Sequence, residues 1–409
     1  MKLVKMSLLA ATLIASSAFA IDNTKVSGDA KLYYSTSDDG DNSLFNKDGA
    51  FGQASAKVGL TTDLTDGVSA GVSITALSTL GLQNQLVGGV WETTNGADDS
   101  FWFDEAWIAG TVGKTTGKIG RMELDTPLVF SETWSVATNT FEAAVLINQD
   151  IPGTTLVGAY VGGSNGGDVF GRQVIAPMNP AGNTNFSQFY NGAFAAGAIN
   201  NSWKPLTVQG WYYNATSVAN AYWLQADLQL DMGLVLGAQF TGLDLKKYTV
   251  GQDSSNTAFA VKAGYELKDT LAISAAFSQT GNDKDNGFGA GMNLAASGQS
   301  KLYTEAWWNY GYITLNDTTA FNVTVSTPEA LTYVGLAAYV TSSTSADGIA
   351  VGTDTEMLEV TLEATKSFGP LDASLLYILT DANDQNLKDA NADSGQSYNT
   401  IQAYLTYNF

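Results

Sequence analysis

The chain has no cysteine and no histidine. Without cysteine, no disulfide can hold it together, so stability must come from backbone hydrogen bonding and burial. Without histidine, the commonest general base and metal ligand is missing. With both absent, most zinc sites and the usual serine or cysteine nucleophile arrangements are closed, and an enzyme is not expected. Proline is scarce at 7. Beyond residue 20 there is no run of about 18 apolar residues, which excludes membrane-spanning helices. Basic residues are few, 19 Lys plus Arg against 40 Asp plus Glu. That balance repels nucleic acid and draws in cations.

What is present begins with an export signal. Met1-Lys-Leu-Val-Lys5 carries positive charge, an apolar stretch follows to Ala15, and Ala18-Phe-Ala20 offers small residues for cleavage. This predicts a signal peptide over 1–20 and one mature domain over 21–409, since no Pro- or Ser-rich linker divides the remainder. Losing Lys2 and Lys5 takes the net charge from −21 to −23.

The recurring pattern after residue 20 is a segment of roughly ten residues with alternating apolar and polar side chains. Val26, Gly28, Ala30, Leu32 and Tyr34 oppose Ser27, Asp29, Lys31 and Tyr33. Tyr222, Leu224, Ala226, Leu228 and Leu230 oppose Trp223, Gln225, Asp227 and Gln229. Leu358, Val360 and Leu362 oppose Glu359, Thr361 and Glu363. A soluble barrel needs an apolar inner face. Here the apolar face is the uniform one and the other is charged, so the pattern is inside out, with lipid outside and water inside.

Turn residues between these segments alternate with long polar stretches. Short turns read at 63–67, 112–117, 150–153, 231–233, 268–270 and 368–370. Long stretches read at 37–50, 78–99, 163–191, 242–256, 280–316, 342–354 and 382–396. The expected fold is all-β, a transmembrane antiparallel β-barrel of about eighteen strands with an inward-folded constriction loop. In 280–316 the run Lys301–Trp308 reads as loop or as a further strand. The chain ends on an alternating strand finishing in Phe409, an aromatic at the rim that serves as an outer-membrane assembly signal.

The segment 125–140 lies between two strands and should be exposed. Yet it carries Pro127, Leu128, Val129, Phe130 and Trp134. Buried-type residues in such a place imply a loop folded into the lumen. Parity puts Arg121, Glu123 and Glu142 on inward faces. With Asp125 and Glu132 in the loop they make a candidate constriction of mixed charge. Other lumen-facing charges are Lys31, Lys57, Glu105, Asp227, Lys262, Glu359 and Glu363. Glu359 and Glu363 stand on the order of 13 Å apart along one strand face, too far for a shared proton. Asp104 shares parity with Ala106 and Ile108 and so points toward lipid, where a charge is costly, which places it above the membrane or in a subunit interface. Counted together, eight inward acids oppose Lys31, Lys57, Arg121 and Lys262, an excess of four negative charges.

The Met1–Lys5 signal, the opening strand Val26-Ser-Gly-x-x-Lys-x-x-Tyr34, the stretch Gly113-Lys-Thr-Thr-Gly-Lys-Ile-Gly-Arg121 and the Tyr407-Asn-Phe409 ending resemble the major outer membrane porins of campylobacters and their relatives. The resemblance covers the chain in layout. It implies an 18-stranded homotrimer with an inward third loop, and it admits a bound calcium ion. The acid-rich runs Asp38–Asp41, Asp98-Asp99, Asp283–Asp285 and Asp381–Asp384 supply oxygens that suit calcium. None has the twelve-residue loop pattern, so solvated loops or a divalent bridge to lipopolysaccharide are expected and no metal ligands are assigned.

The function expected from the sequence is a general diffusion porin of the bacterial outer membrane, cation-preferring and open to small hydrophilic solutes. It would need no cofactor. Its partners are ions, small solutes, outer-membrane lipid, lipopolysaccharide and the barrel assembly machinery. The alternatives are a substrate-specific porin and a plugged surface adhesin or structural barrel.

Overall fold

The structure is a computed structural model. It describes residues 23–82, 86–87, 100–132, 135–166, 186–216, 218–246, 254–283, 289–295, 299–327, 334–346, 354–382 and 397–409. The expected signal peptide and Trp134 lie outside the described residues, as do Asp98, Asp99, Asp285 and Asp384 of the acid-rich runs.

Eighteen strands make a single sheet: β1 Lys25–Ser37, β2 Ala50–Thr65, β3 Val68–Ser78, β4 Ser100–Val112, β5 Thr115–Met122 and β6 Phe141–Asn148. There follow β7 Thr154–Ser164, β8 Ser187–Asn200, β9 Leu206–Ala215, β10 Ala219–Gln229, β11 Leu234–Leu245 and β12 Ser254–Leu267. The last six are β13 Leu271–Thr280, β14 Thr318–Thr327, β15 Gly335–Ser345, β16 Thr355–Phe368, β17 Leu371–Ala382 and β18 Tyr398–Asn408. Each pairs antiparallel with its sequence neighbours, and β1 pairs with β18, so the sheet closes on itself and leaves no edge. Between β13 and β14 the described residues of 281–317 form a connection and add no strand.

The last residue extends the closing seam, where β1 and β18 pair from Asp29–Asn408 to Ser37–Thr400. The Gly28 N–H donates to the Phe409 carbonyl at 2.9 Å, and the Phe409 N–H donates to the Gly28 carbonyl at 3.0 Å. A Cβ at position 28 would stand 2.5 Å from the Phe409 ring and 2.3 Å from the Lys57 carbonyl oxygen. Glycine therefore leaves the slot that the terminal ring fills. Gly28→Val should expel the ring and impair closure. The expected result is loss of the heat-resistant, fast-migrating folded form on unheated gels, while full migration as folded barrel would refute it.

Outward faces carry exposed Val, Leu and Ile between two bands of aromatics. Near the loop end, Tyr160–Phe194, Tyr222–Phe240, Phe259–Phe277 and Phe277–Phe321 lie 5.0 to 5.9 Å apart, centroid to centroid. Toward the short-turn end sit exposed Trp203, Tyr265, Phe368, Tyr407 and Phe409. Aromatic rings at both margins of an apolar band match the two interfaces of a bilayer.

Inside, the barrel holds an apolar core that simple alternation does not anticipate. Met122, Phe141, Phe189, Trp211, Trp223 and Leu245 are buried toward the lumen against Leu128, Val129, Leu294, Leu302 and Ile313 from the connections 123–140 and 281–317. These inward apolar residues invert the polarity of the two faces at the loop ends of β5 and β6.

Candidate functional site

Two connections fold into the barrel and are clasped to each other. Residues 123–140 reach the wall on both sides of their own strands. The Ser55 hydroxyl on β2 donates to the Val136 carbonyl at 2.7 Å, and the Leu128 N–H donates to the Tyr213 hydroxyl on β9 at 3.4 Å. The second connection, between β13 and β14, meets the first where the Leu294 N–H donates to the Leu128 carbonyl at 2.8 Å. There Asn293 Nδ2 donates to the Phe130 carbonyl at 2.8 Å, and Asn293 Oδ1 accepts the Phe130 N–H at 3.3 Å. Lys301 pairs with Asp125 and stands 4.7 Å over the Phe130 ring.

The second connection is pinned to the wall independently. Tyr303 lies against Gly237, where no side chain intervenes, and its hydroxyl donates to Asp227 at 2.6 Å. Burial first, then Asp227, pushes the Tyr303 phenol up. Lys262 stacks 4.3 Å over the same ring. Gln239 bridges the Lys301 carbonyl and the Tyr303 N–H at 2.8 and 3.0 Å. Within this connection Glu305 accepts from Ser300, and burial pushes its carboxyl up to about 8, with the nearby Glu359 adding to the rise.

Opposite lies a charged wall. Lys57 on β2 is held by Asp104 at 3.0 Å, Glu105 at 2.9 Å and Glu123 at 3.1 Å. Asp104 corrects the lipid-facing reading. Ser73 pairs with Glu105 and Ile74 with Phe103, so Asp104 is the extra residue of a β-bulge. The bulge turns Asp104 and Glu105 both inward, and the Ser73 hydroxyl donates to Asp104 at 2.9 Å. Lys31 lies 3.8 Å from Asp29, and Lys118 stacks 4.1 Å over the Trp107 ring.

The constriction residues divide. Glu123 and Asp125 present half-exposed and exposed carboxylates. Glu132 is 0% exposed, because its carboxylate accepts from the Ser135 N–H and hydroxyl within the loop, so it offers no charge to the lumen. Arg121 and Glu142 face outward. They are register partners beside outward Ala106, with Arg121 Nε and Nη2 at 3.0 and 2.9 Å from Glu142 Oε1. The Arg121 guanidinium also donates to the Phe103 carbonyl and lies 3.8 Å from the Phe186 ring. The faces alternate without a break, since exposed Ile119 and Leu146 share faces with Arg121 and Glu142; polarity misled, because apolar Met122 and Phe141 sit inward under the loop. The outward pair lies at the loop end of short strands, near the interface, where a charge costs little. Of the remaining lumen residues, Glu363 accepts from the Tyr339 hydroxyl at 3.1 Å, while Glu359 is buried under the second connection.

Sequence reasoning placed Asp29 on the polar face without counting it as a pore charge, and it missed Lys118, Lys301 and the role of the second connection. A signal was there: Leu302, Trp307, Trp308, Tyr312 and Ile313 are as apolar, for an exposed loop, as the residues that marked 125–140. Among the described residues no group of three or more carboxylates is placed to hold a metal ion.

No protein-family model and no curated protein matches the chain, so the campylobacter resemblance has no further support in sequence. Solved structures match in fold. The chain is similar to Pseudomonas aeruginosa OccK3 (OpdO), with a TM-score of 0.73 and 15% identity, over 95% of this chain and 96% of that one. Its barrel has the architecture of the OccK/Opd outer-membrane porins. OccK9 (OpdG) gives 0.74 at 12% identity, covering 95% and 99%, and OpdK solved with vanillate gives 0.71 at 13%, covering 95% and 99%.

Proposed function

We propose that the chain forms a water-filled channel across a bacterial outer membrane and sorts small hydrophilic solutes at a two-loop eyelet. The observation that carries this reading is the clasp of Asn293 and Leu294 onto Leu128 and Phe130, deep inside an inside-out barrel. Two connections clasped together narrow the lumen, where the sequence led to a single inward loop. That favours substrate selection over the general diffusion expected from sequence. The fold shared with OccK and Opd porins supports a channel, and the export signal and aromatic bands support the outer membrane. Phe409, closing the sheet on Gly28, is the proposed contact for the assembly machinery.

Charge selection is weaker than the sequence count implied. Among the described residues around the two inward connections, removing Glu132, Glu142 and Glu359 from the pore, and adding Asp29 and Asp104, leaves Asp29, Asp104, Glu105, Glu123, Asp125, Asp227 and Glu363 facing inward. Against these seven stand the five lysines Lys31, Lys57, Lys118, Lys262 and Lys301. An excess of two negative charges, focused by low-dielectric walls, should give a modest preference for potassium over chloride. Purified protein in a planar bilayer should show discrete openings, a reversal potential on the cation side in a salt gradient, and saturable block by its preferred solute. Block that never saturates with any small solute would restore the general-diffusion reading. Absence of conductance would favour a plugged adhesin, and anion selectivity would refute the charge assignment.

A further inference from the structure

Glu359 is 1% exposed, and among the described residues no lysine or arginine forms an ion pair with it. Most of its partners are backbone. Trp307, Trp308 and Asn309 turn three successive N–H groups toward it at 2.8, 3.0 and 2.8 Å, and Asn309 Nδ2 adds a fourth bond at 2.9 Å. The Thr361 hydroxyl donates a fifth at 3.0 Å. Consecutive N–H groups converging on one point make an anion-binding concavity. Here the anion is supplied by the barrel wall, on β16. Neighbouring contacts extend the seat: Asn309 Nδ2 reaches Thr380 at 3.0 Å, Trp307 Nε1 reaches Gln402 at 3.3 Å, and the Trp307 ring stacks on Tyr339 at 6.1 Å.

We infer that Glu359 acts as a clamp that holds the connection 281–317 across the lumen, and so sets the width of the pore through this loop, without contributing charge to it. The inference rests on the channel reading of the preceding subsection. Its physical basis is the cost of leaving either side alone. Without the carboxylate, three N–H groups lose their acceptor in a buried place. Without the N–H groups, an ionised carboxylate is stranded. Glutamine cannot substitute, since one of its two ends donates and would face N–H groups that also donate.

The test is single-channel conductance of the full chain in about 1 M salt, where charges farther apart than about 3 Å are screened and conductance reports cross-section. Glu359→Gln should raise conductance by about twofold with greater open-channel noise, if pore diameter governs flow as in other channels. To separate this from any disturbance of the barrel wall, Asn309→Pro provides a second variant. It removes the N–H and the amide at 309 from the loop side and leaves every strand intact, and it should give the same rise. The chain has no cysteine. Hence Ser278→Cys with Thr304→Cys, whose hydroxyl oxygens lie 2.6 Å apart, can tie the loop back to β13. Oxidised, this pair should return either variant toward wild-type conductance, and reduction should release it. A changed reversal potential with unchanged conductance would show Glu359 to be a pore charge and overturn the clamp. Wild-type protein with no conductance would instead overturn the channel reading.

Discussion

Replacing residues 126–139 with a tight turn should raise single-channel conductance by about twofold or more, since pore diameter limits flow. The same change should lower barrel stability. This segment covers Met122, Phe141 and Phe189, each 0 to 2% exposed in its presence. Wetting a large apolar side chain costs about 1.5–3 kcal/mol. The second connection also loses its clasp at Leu128 and Phe130, and Lys301 loses the Phe130 ring beneath it. Conductance and midpoint of urea unfolding in detergent should therefore move together. Deleting part of 38–49, which lies outside the lumen core, should change neither conductance nor selectivity. Equal conductance for the 126–139 deletion and the intact protein would make that segment an external cap.

Lys57→Met should show the second large effect. One ammonium serves Asp104, Glu105 and Glu123, and Asp104 is 3% exposed. Removing the cation from a mostly buried cluster typically costs about 3 kcal/mol, because carboxylates are left uncompensated. The wall would also lose one positive charge, so potassium preference at low salt should rise. Glu123→Gln is the contrasting variant. Its carboxylate is 48% exposed, so it should cost little stability and should lower potassium preference. A Lys57→Met protein as stable as wild type would show that water already screens the cluster.

Most strand faces, where lipid and water compete for single side chains, were readable residue by residue. Leu358 and Leu362 face out while Glu359 and Thr361 face in, and Leu224 opposes Trp223 and Asp227 in the same way. The alternation has period two and is imposed locally by solvent on one side and hydrocarbon on the other, so it survives without knowledge of the rest of the chain. Strand number followed from it, because each short turn returns the chain and closure admits an even count. The inward placement of 125–140 was also legible, since apolar residues in an exposed loop need somewhere to be buried.

What required the tertiary structure was everything that depends on residues distant in sequence. The inward loops bring an apolar core into the lumen, so Met122 and Phe141 face inward and their neighbours Arg121 and Glu142 face outward, against the simple rule. A one-residue bulge, invisible to periodicity, turns Asp104 from lipid to Lys57. Glu359 reads in sequence as a lumen charge. Only the approach of Trp307–Asn309, some fifty positions away, makes it a buried acceptor for backbone N–H groups. A face is a property of one strand and its two solvents. An eyelet is a set of contacts between segments, and chain entropy leaves those open until the barrel closes around them.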